Sequence, residues 1–469
     1  MSKRNEAPIL IISLLVTLGL LGAGGWWLSK QLGFNNSGAN PSAPSMPNGN
    51  PTRAVSERIS FGEKQLIAAS AAPAKQEAIA NIQSGNFPAA VSTLESYLQQ
   101  NRNDPEALIY LNNARIGQAN AYVLMVSVPA QTDPNPAQEI LRGVAQVQQE
   151  INQQGGINGT PLKIGIASDD NDPAMAEKVA QALVDTPSVL GVIGHFGSET
   201  TLAASAIYEQ GQLPVISPTS TSVKISEVGE YVFRTVPSDR FTASTLSRHL
   251  INDLSAQQVA VYYNAESDYS QSLKNEFTTA LYADGGQVAL EVNAADAGFN
   301  ASGSIAQAQQ QGAQAIALLT NTATLDQAIQ VVQANSGQLQ LVGGDSLYNP
   351  KLLEIAGSAA AGMDIAVPWI LLSNPQSTYA QSSRQLWGGD VNWRTAMAYD
   401  ATIALAVAIK QNPSRSGIQA ALSQSGFQVE GATGMVQFLP SGDRNQAMQL
   451  VTVAAGNRSS YGYDFVPAD

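Results

Sequence analysis

The sequence predicts an α/β protein whose main body is two lobes, each a parallel sheet covered by helices on both faces. Three observations carry that prediction. From Asn120 onward, short apolar, β-branched runs alternate with segments of helical texture, the pattern of strand–helix–strand units with buried parallel strands. Between the second and third runs, Ala176, Val179, Ala180 and Leu183 fall at i, i+3, i+4 and i+7, one stripe of an amphipathic helix. The stretch from residue 120 to residue 469 also exceeds a single doubly wound domain, so its apolar residues divide between two cores.

The elements follow in chain order. Residues Ala7 to Ser29 carry no charge and have the length of a bilayer-spanning helix. Lys3 and Arg4 precede them, which holds the N-terminus in the cytoplasm and sends the remainder across. Trp26 and Trp27 fall where an aromatic belt would lie. An uncleaved anchor is favoured over a removable signal peptide, because no small-x-small site follows the apolar run. Gly33 to Thr52 is Pro, Gly, Asn and Ser with almost nothing apolar, the composition of a flexible tether. In the next segment Ala90, Leu94 and Leu98 share a helical stripe, and Asp104-Pro105 reads as an N-cap followed by a first-turn proline. Gly85, Phe87, Ala90, Leu98, Pro105, Ala107 and Tyr110 resemble one tetratricopeptide repeat, fewer than such arrays need. A helical spacer packed on the next domain is favoured over a docking surface for a partner.

The runs read as strands are Tyr122–Val128, Leu162–Ala167, Val189–Gly194, Leu213–Ser217, Val259–Tyr263, Val288–Val292, Ala315–Thr320, Leu339–Gly343 and Asp364–Pro368.

Composition narrows the function. Of 469 residues, 44% are hydrophobic and 13% charged, with a formal net charge of −13. That balance argues against nucleic-acid binding, which needs clustered Lys and Arg. The chain has no cysteine and only two histidines, His195 and His249, so thiolate chemistry and multi-histidine metal sites are excluded. No cofactor is implied.

Ligands of open parallel sheets bind beyond the carboxyl ends of the strands, so the residues just after each run are the candidates. The third run is followed by GSETT and the fourth by SPTSTS. Ser198, Thr219 and Thr221 are hydroxyls beside possible helix N-termini, whose free N–H groups and partial positive charge suit a carboxylate. In the second lobe, Tyr269 and Asp345 follow strands, and Asp239 lies where the chain passes between lobes. These two acids and an aromatic suit a small cation. Hydroxyls at one end and acids at the other describe a zwitterion, such as a free α-amino acid. Taken singly, each residue is more simply an N-cap or a turn former; together they fall on one sheet edge. A catalytic Ser198 is disfavoured, because GHFGS is not a nucleophile elbow and no acid in the sequence is obviously placed to orient either histidine. Arg234 reads as structural, pairing near the hinge.

The segment from Glu139 to Val184, with Gly143, INQQGGINGTPL and DDNDP, is followed in order by VIGHFGSETT, VISPTSTS and YVFRTVPSDRF. Over roughly Ala121 to Val453 it resembles the periplasmic leucine/isoleucine/valine-binding proteins, the type I solute-binding proteins of ABC transporters. The resemblance implies two Rossmann-like lobes joined by a three-strand hinge and closing on the ligand. It places the ligand carboxylate on Ser198, Thr219 and Thr221 and the ammonium on Asp239, Asp345 and Tyr269. Two departures bear on specificity. The first loop, PAQTDPNPAQE, lacks the usual glycine-rich segment, and Asn321 stands near a family aromatic.

The expected organisation is an anchor or uncleaved signal at 1–30, a linker at 31–56, a helical tetratricopeptide-like segment at 57–119 and a solute-binding domain at 120–469. Lobe 1 takes about 120–239 and 369–448, and lobe 2 about 240–368 and 449–469. The expected role is capture of an amino acid on the periplasmic side of the cytoplasmic membrane and delivery to an ABC permease. The alternative is a tethered sensor that signals to a protein partner; an enzyme is not expected.

Overall fold

Each apolar run becomes a strand because a parallel strand between two helical layers must be apolar on both faces. The computed structural model describes residues 55–67 and 72–468. The expected anchor and nearly all of the expected linker lie outside the described residues. Among the described residues, no helix is long and apolar enough to cross a membrane.

The first sheet comprises β1 (Ile59–Ser60), β2 (Tyr122–Val128), β3 (Leu162–Ser168), β4 (Val189–Ile193), β5 (Val215–Ser217) and β6 (Val232–Arg234), in the order β1-β3-β2-β4-β5-β6. Strands β2 to β6 run parallel. Strand β1 lies antiparallel on β3, with Ile59 opposite Ala167. The second sheet holds the parallel strands β7 (Gln258–Tyr263), β8 (Gln287–Asn293), β9 (Ala315–Leu319), β10 (Gln340–Gly343) and β11 (Asp364–Val367). A small hairpin, β12 (Val429–Gly431) and β13 (Gly434–Val436), stands apart. Strands β14 (Gln449–Ala455) and β15 (Tyr463–Pro467) then extend the second sheet antiparallel beyond β11.

Three segments join the lobes: the chain leaves the first sheet after β6, returns after β11 and crosses again before β14. This is the two-lobed α/β architecture that the alternating pattern predicts. The strand list was incomplete. Strand β1 is too short to show a period, β6 lies inside the stretch read as a crossover, and β12 to β15 are antiparallel strands outside the repeating unit.

The stripe Ala176, Val179, Ala180 and Leu183 is buried, on the helix Pro173–Val184. Leu124, Val126, Ile164, Ile166 and Ile193 are fully buried between the layers, each contributing on the order of 1.5–3 kcal/mol of hydrophobic stabilisation.

The N-terminal helices Pro73–Gln83, Phe87–Gln100 and Pro105–Ile116 pack on the first lobe. Asp104 caps the third as expected, its side chain accepting from the Ala107 N–H at 3.0 Å. The same carboxylate and Glu106 each lie 2.7 Å from the buried Lys75 ammonium, and the Tyr97 hydroxyl donates to Asp104 at 2.9 Å. Asn113 ties the layer to the sheet, its amide donating to the carbonyls of Phe61 (2.8 Å) and Ile164 (2.7 Å).

The helices Pro134–Gln153 and Trp393–Gln411 cross at Gly143, where an added Cβ would sit 2.2 Å from the Thr395 carbonyl oxygen. Only glycine permits that approach. Gly143→Ala is therefore expected to force the helices apart and lower stability by about 1–3 kcal/mol, the usual cost of overpacking. An unchanged urea midpoint would show that the crossing relaxes freely.

Candidate functional site

Between the carboxyl ends of the two sheets lies a cleft lined by residues of both lobes, the place where open parallel sheets bind ligands. Ser198 and Thr219 line it from the first lobe, and Tyr269, Asn321 and Asp345 from the second. Thr221 and Asp239 are not in its lining. They sit behind it, joined to each other where the Asp239 N–H donates to the Thr221 carbonyl at 2.9 Å.

The lobe 1 wall is built from two loops stitched together. Ser198 opens the helix Ser198–Gln210, with Gly197 as N-cap, and its hydroxyl accepts from the Ser222 N–H at 3.2 Å. Thr219 Oγ1 donates to the Phe196 carbonyl at 2.8 Å, and Ser220 Oγ donates to the Gly197 carbonyl at 3.0 Å. Beneath them Arg234 is fully buried. Its guanidinium donates to the Ser222 carbonyl (2.8 Å), to Ser226 Oγ (2.8 Å) and to Asp443 (2.6 Å).

The acids have the opposite character. Tyr269 donates to Asp345 Oδ1 at 2.6 Å, while Asp345 Oδ2 and both oxygens of Asp239 are buried without a hydrogen-bond partner. Burial raises the pKa of Asp345, against the lowering effect of the Tyr269 bond and Arg394. Burial likewise pushes Asp239 up to about 7; the nearby Ser272 and Thr221 hydroxyls temper the rise and the charge of Asp345 adds to it. Two such carboxylates that feel each other's charge in a low-dielectric interior favour a cation nearby. The Asn321 side-chain oxygen is already engaged, accepting from Asn264 and from Thr324, each at 3.0 Å.

Several residues reach the cleft that were not singled out in the sequence. Glu199, from lobe 1, accepts from the Ser267 hydroxyl of lobe 2 at 2.5 Å and from the Tyr269 N–H at 3.4 Å. It follows Ser198 directly after β4, so the strand-edge rule contained the signal. Trp393 and Arg394 also line the cleft, but they open a helix that no strand precedes. Arg394 pairs with Glu139 at 3.2 Å and donates across the lobes to the carbonyls of Tyr348 (3.4 Å) and Asp345 (3.5 Å). Lys224 pairs with Asp268, and Thr322 donates to Asp133 of the first loop at 3.2 Å.

The expectation that no acid orients the histidines is corrected. Asp169 lies 2.6 Å from His195 Nδ1, and His249 lies between Asp253 (2.9 Å) and Asp364 (2.8 Å). The His195 arrangement is nonetheless closed: its other nitrogen meets the Tyr208 hydroxyl at 2.9 Å, and the ring is fully buried. Ser198 is held by Ser222, so the geometry does not pair it with a base.

The family model for periplasmic binding proteins matches residues 132–459. Among curated proteins, the leucine-specific-binding protein of Salmonella typhimurium is 28% identical over 230 residues, 48% of this chain and 61% of that protein. An amino acid binding protein of Pseudomonas aeruginosa is 35% identical over 133 residues, 28% of this chain and 35% of that protein. The aligned stretch thus spans about three fifths or less of these two relatives. Among solved structures, a leucine binding protein from Thermotoga maritima superposes with a TM-score of 0.64 at 21% identity, covering 74% of this chain and 98% of that one. A solute binding protein from R. palustris in complex with benzoate gives 0.63 at 16% identity, covering 74% and 96%. These likenesses establish the type I periplasmic binding fold.

The raised pKa of Asp239 carries a linkage consequence. Between its ordinary value of 3.8 and about 7, the native state holds a proton that the unfolded chain releases, so this group's contribution to stability declines as pH rises through that window. Asp239→Asn removes the decline. The stability of the wild type relative to this variant is expected to fall with pH by up to about 1.4 kcal/mol per unit. Urea unfolding of both proteins from pH 4 to pH 8 measures it, and a difference independent of pH would refute it.

Proposed function

Given that the chain belongs to the periplasmic binding protein family, we propose that it captures a free α-amino acid by lobe closure outside the cytoplasmic membrane and delivers it to an ABC transporter permease. One observation carries the reading: a single cleft has a hydroxyl-lined helix N-terminus at Ser198 and Thr219 and, on the other lobe, the buried Asp345 carboxylate with one oxygen without a partner. The first suits a carboxylate and the second an ammonium. Ser198 and Thr219 take the carboxylate, with Thr221 supporting them from behind; Asp345 with Tyr269 takes the ammonium, with Asp239 adding its charge from behind; Asn321 faces the side chain. The relatives named for leucine and for amino acids support this ligand class.

In this reading residues 1–30 anchor the protein to the membrane, residues 31–56 form the tether, and the tetratricopeptide-like helices, fixed to lobe 1, hold the tether to the trap. The same attachment favours a second reading. A lobe fastened to a helical layer can report closure to a protein partner, as a tethered sensor would. A permease gene beside this one favours transport.

The experiment is a thermal-shift screen of the chain from residue 55 onward, which retains β1. The protein is first unfolded and refolded to remove carried-over ligand, then tested against the twenty amino acids, urea, short amides and aromatic acids. Stabilisation by amino acids supports the reading; stabilisation by urea or an aromatic acid alone discards the ammonium role of the acids. For the amino acid found, Asp345→Ala and Asp239→Ala are each expected to weaken binding at least tenfold, about 1.4 kcal/mol. Undiminished binding by both variants would sink the zwitterion cradle.

A further inference from the structure

We infer that the Trp393 indole N–H and the Arg394 Nε–H form a second polar subsite in the cleft, which takes the carbonyl oxygen of a side-chain carboxamide. The inference rests on the amino-acid reading above and names the kind of amino acid: asparagine or glutamine in type, rather than branched and aliphatic.

Both residues line the cleft, and they are 2% and 4% exposed. Trp393 Nε1 and Arg394 Nε are buried without hydrogen-bond partners. A buried donor left unmade costs about 1–3 kcal/mol, and two on adjacent residues are unusual enough to require an explanation. The rest of the guanidinium is held in place. Nη1 meets Glu139 (3.2 Å) and the Tyr348 carbonyl (3.4 Å), and Nη2 meets the Asp345 carbonyl (3.5 Å). The guanidinium carbon sits 4.4 Å from the Trp393 ring centre, so each group fixes the other. The two free donors therefore occupy defined positions in the first turn of a helix, where the backbone dipole also favours an oxygen acceptor.

Charge selects a neutral acceptor. Glu199 and Asp345 already face the cleft, Asp239 lies behind it, and the Arg394 charge is answered by Glu139. A ligand bringing a side-chain carboxylate would add to like charges, whereas a carboxamide supplies the carbonyl oxygen without one. An aliphatic side chain would leave both donors unmade, and sites built to hydrogen-bond a polar group reject analogues that lack it. Asn171, Asn321 and Thr322 make the remaining walls polar as well.

Titration calorimetry on the full chain, unfolded and refolded to remove carried-over ligand, compares glutamine, asparagine, glutamate, aspartate, leucine, isoleucine and valine. Glutamine or asparagine is expected to bind at least ten times more tightly than the other five. Trp393→Phe, which keeps the ring and removes the N–H, is expected to weaken that ligand at least fivefold while changing leucine less than twofold. Arg394→Lys, which keeps the charge and removes Nε–H, is a second route to the same loss should the first variant fold poorly. A tighter aliphatic or acidic ligand, or an equal loss for all ligands in these variants, overturns the carboxamide subsite and leaves the amino-acid cradle standing. Binding of none of the seven overturns the carboxamide subsite, and the amino-acid cradle falls with it only where the screen of all twenty is also silent.

Discussion

The buried Arg234 guanidinium is the point from which the binding edge is organised. A fully buried cation must have its charge and its N–H groups answered, or the desolvation is not offset. Here the answers come from three places: the loop carbonyls at Ser220 and Ser222, the Ser226 hydroxyl, and Asp443 in the segment that crosses between lobes. The Arg234 N–H also donates to the Gly442 carbonyl at 3.0 Å. One side chain thereby fixes the loop after β5, the end of β6 and the third crossover in a common frame. The hydroxyls of the cleft inherit their positions from it, because Ser222 in turn donates to Ser198.

The second organising feature is the polarity of the lobe–lobe contact. Residues at the helix Asp268–Ala283 meet lobe 1 four times: Ser267 and the Tyr269 N–H at Glu199, Ser272 at the Val223 N–H (3.1 Å) and Asp268 at Lys224. Glu199 approaches the N-terminus of that helix, where a carboxylate is electrostatically favoured. At this edge the lobes meet through hydrogen bonds and ion pairs. Polar contacts of this kind exchange readily with water, which suits the parting and rejoining that the proposed trap requires.

Much of this was legible in the sequence because parallel strands leave a strong mark. Nine apolar runs and a helical stripe at Ala176 to Leu183 needed no tertiary information; the edge rule reached Ser198, Thr219, Tyr269 and Asp345, and the family resemblance Asn321, all of which line one cavity. What was hidden depended on distant pairing. Asp169, after β3, meets His195, after β4, across the end of the intervening β2, and nothing local in either segment announces it. Trp393 and Arg394 enter the cleft from the start of a helix. Strand β14 pairs antiparallel with β11 and β15 with β14, a register that only the folded sheet defines.

Strand β1 has a consequence for the chain as a colloid. Without Ile59 and Ser60, β3 would end the first sheet with an open row of N–H and C=O groups, a template on which a strand of another molecule could add. The two residues cover that row opposite Ile166 and Ala167, and Arg58 carries the cover one step further, its carbonyl accepting from the Ser168 N–H at 2.9 Å while its side chain pairs with Asp170. The segment preceding the first lobe therefore also serves as a hem that covers the C-terminal end of a sticky margin.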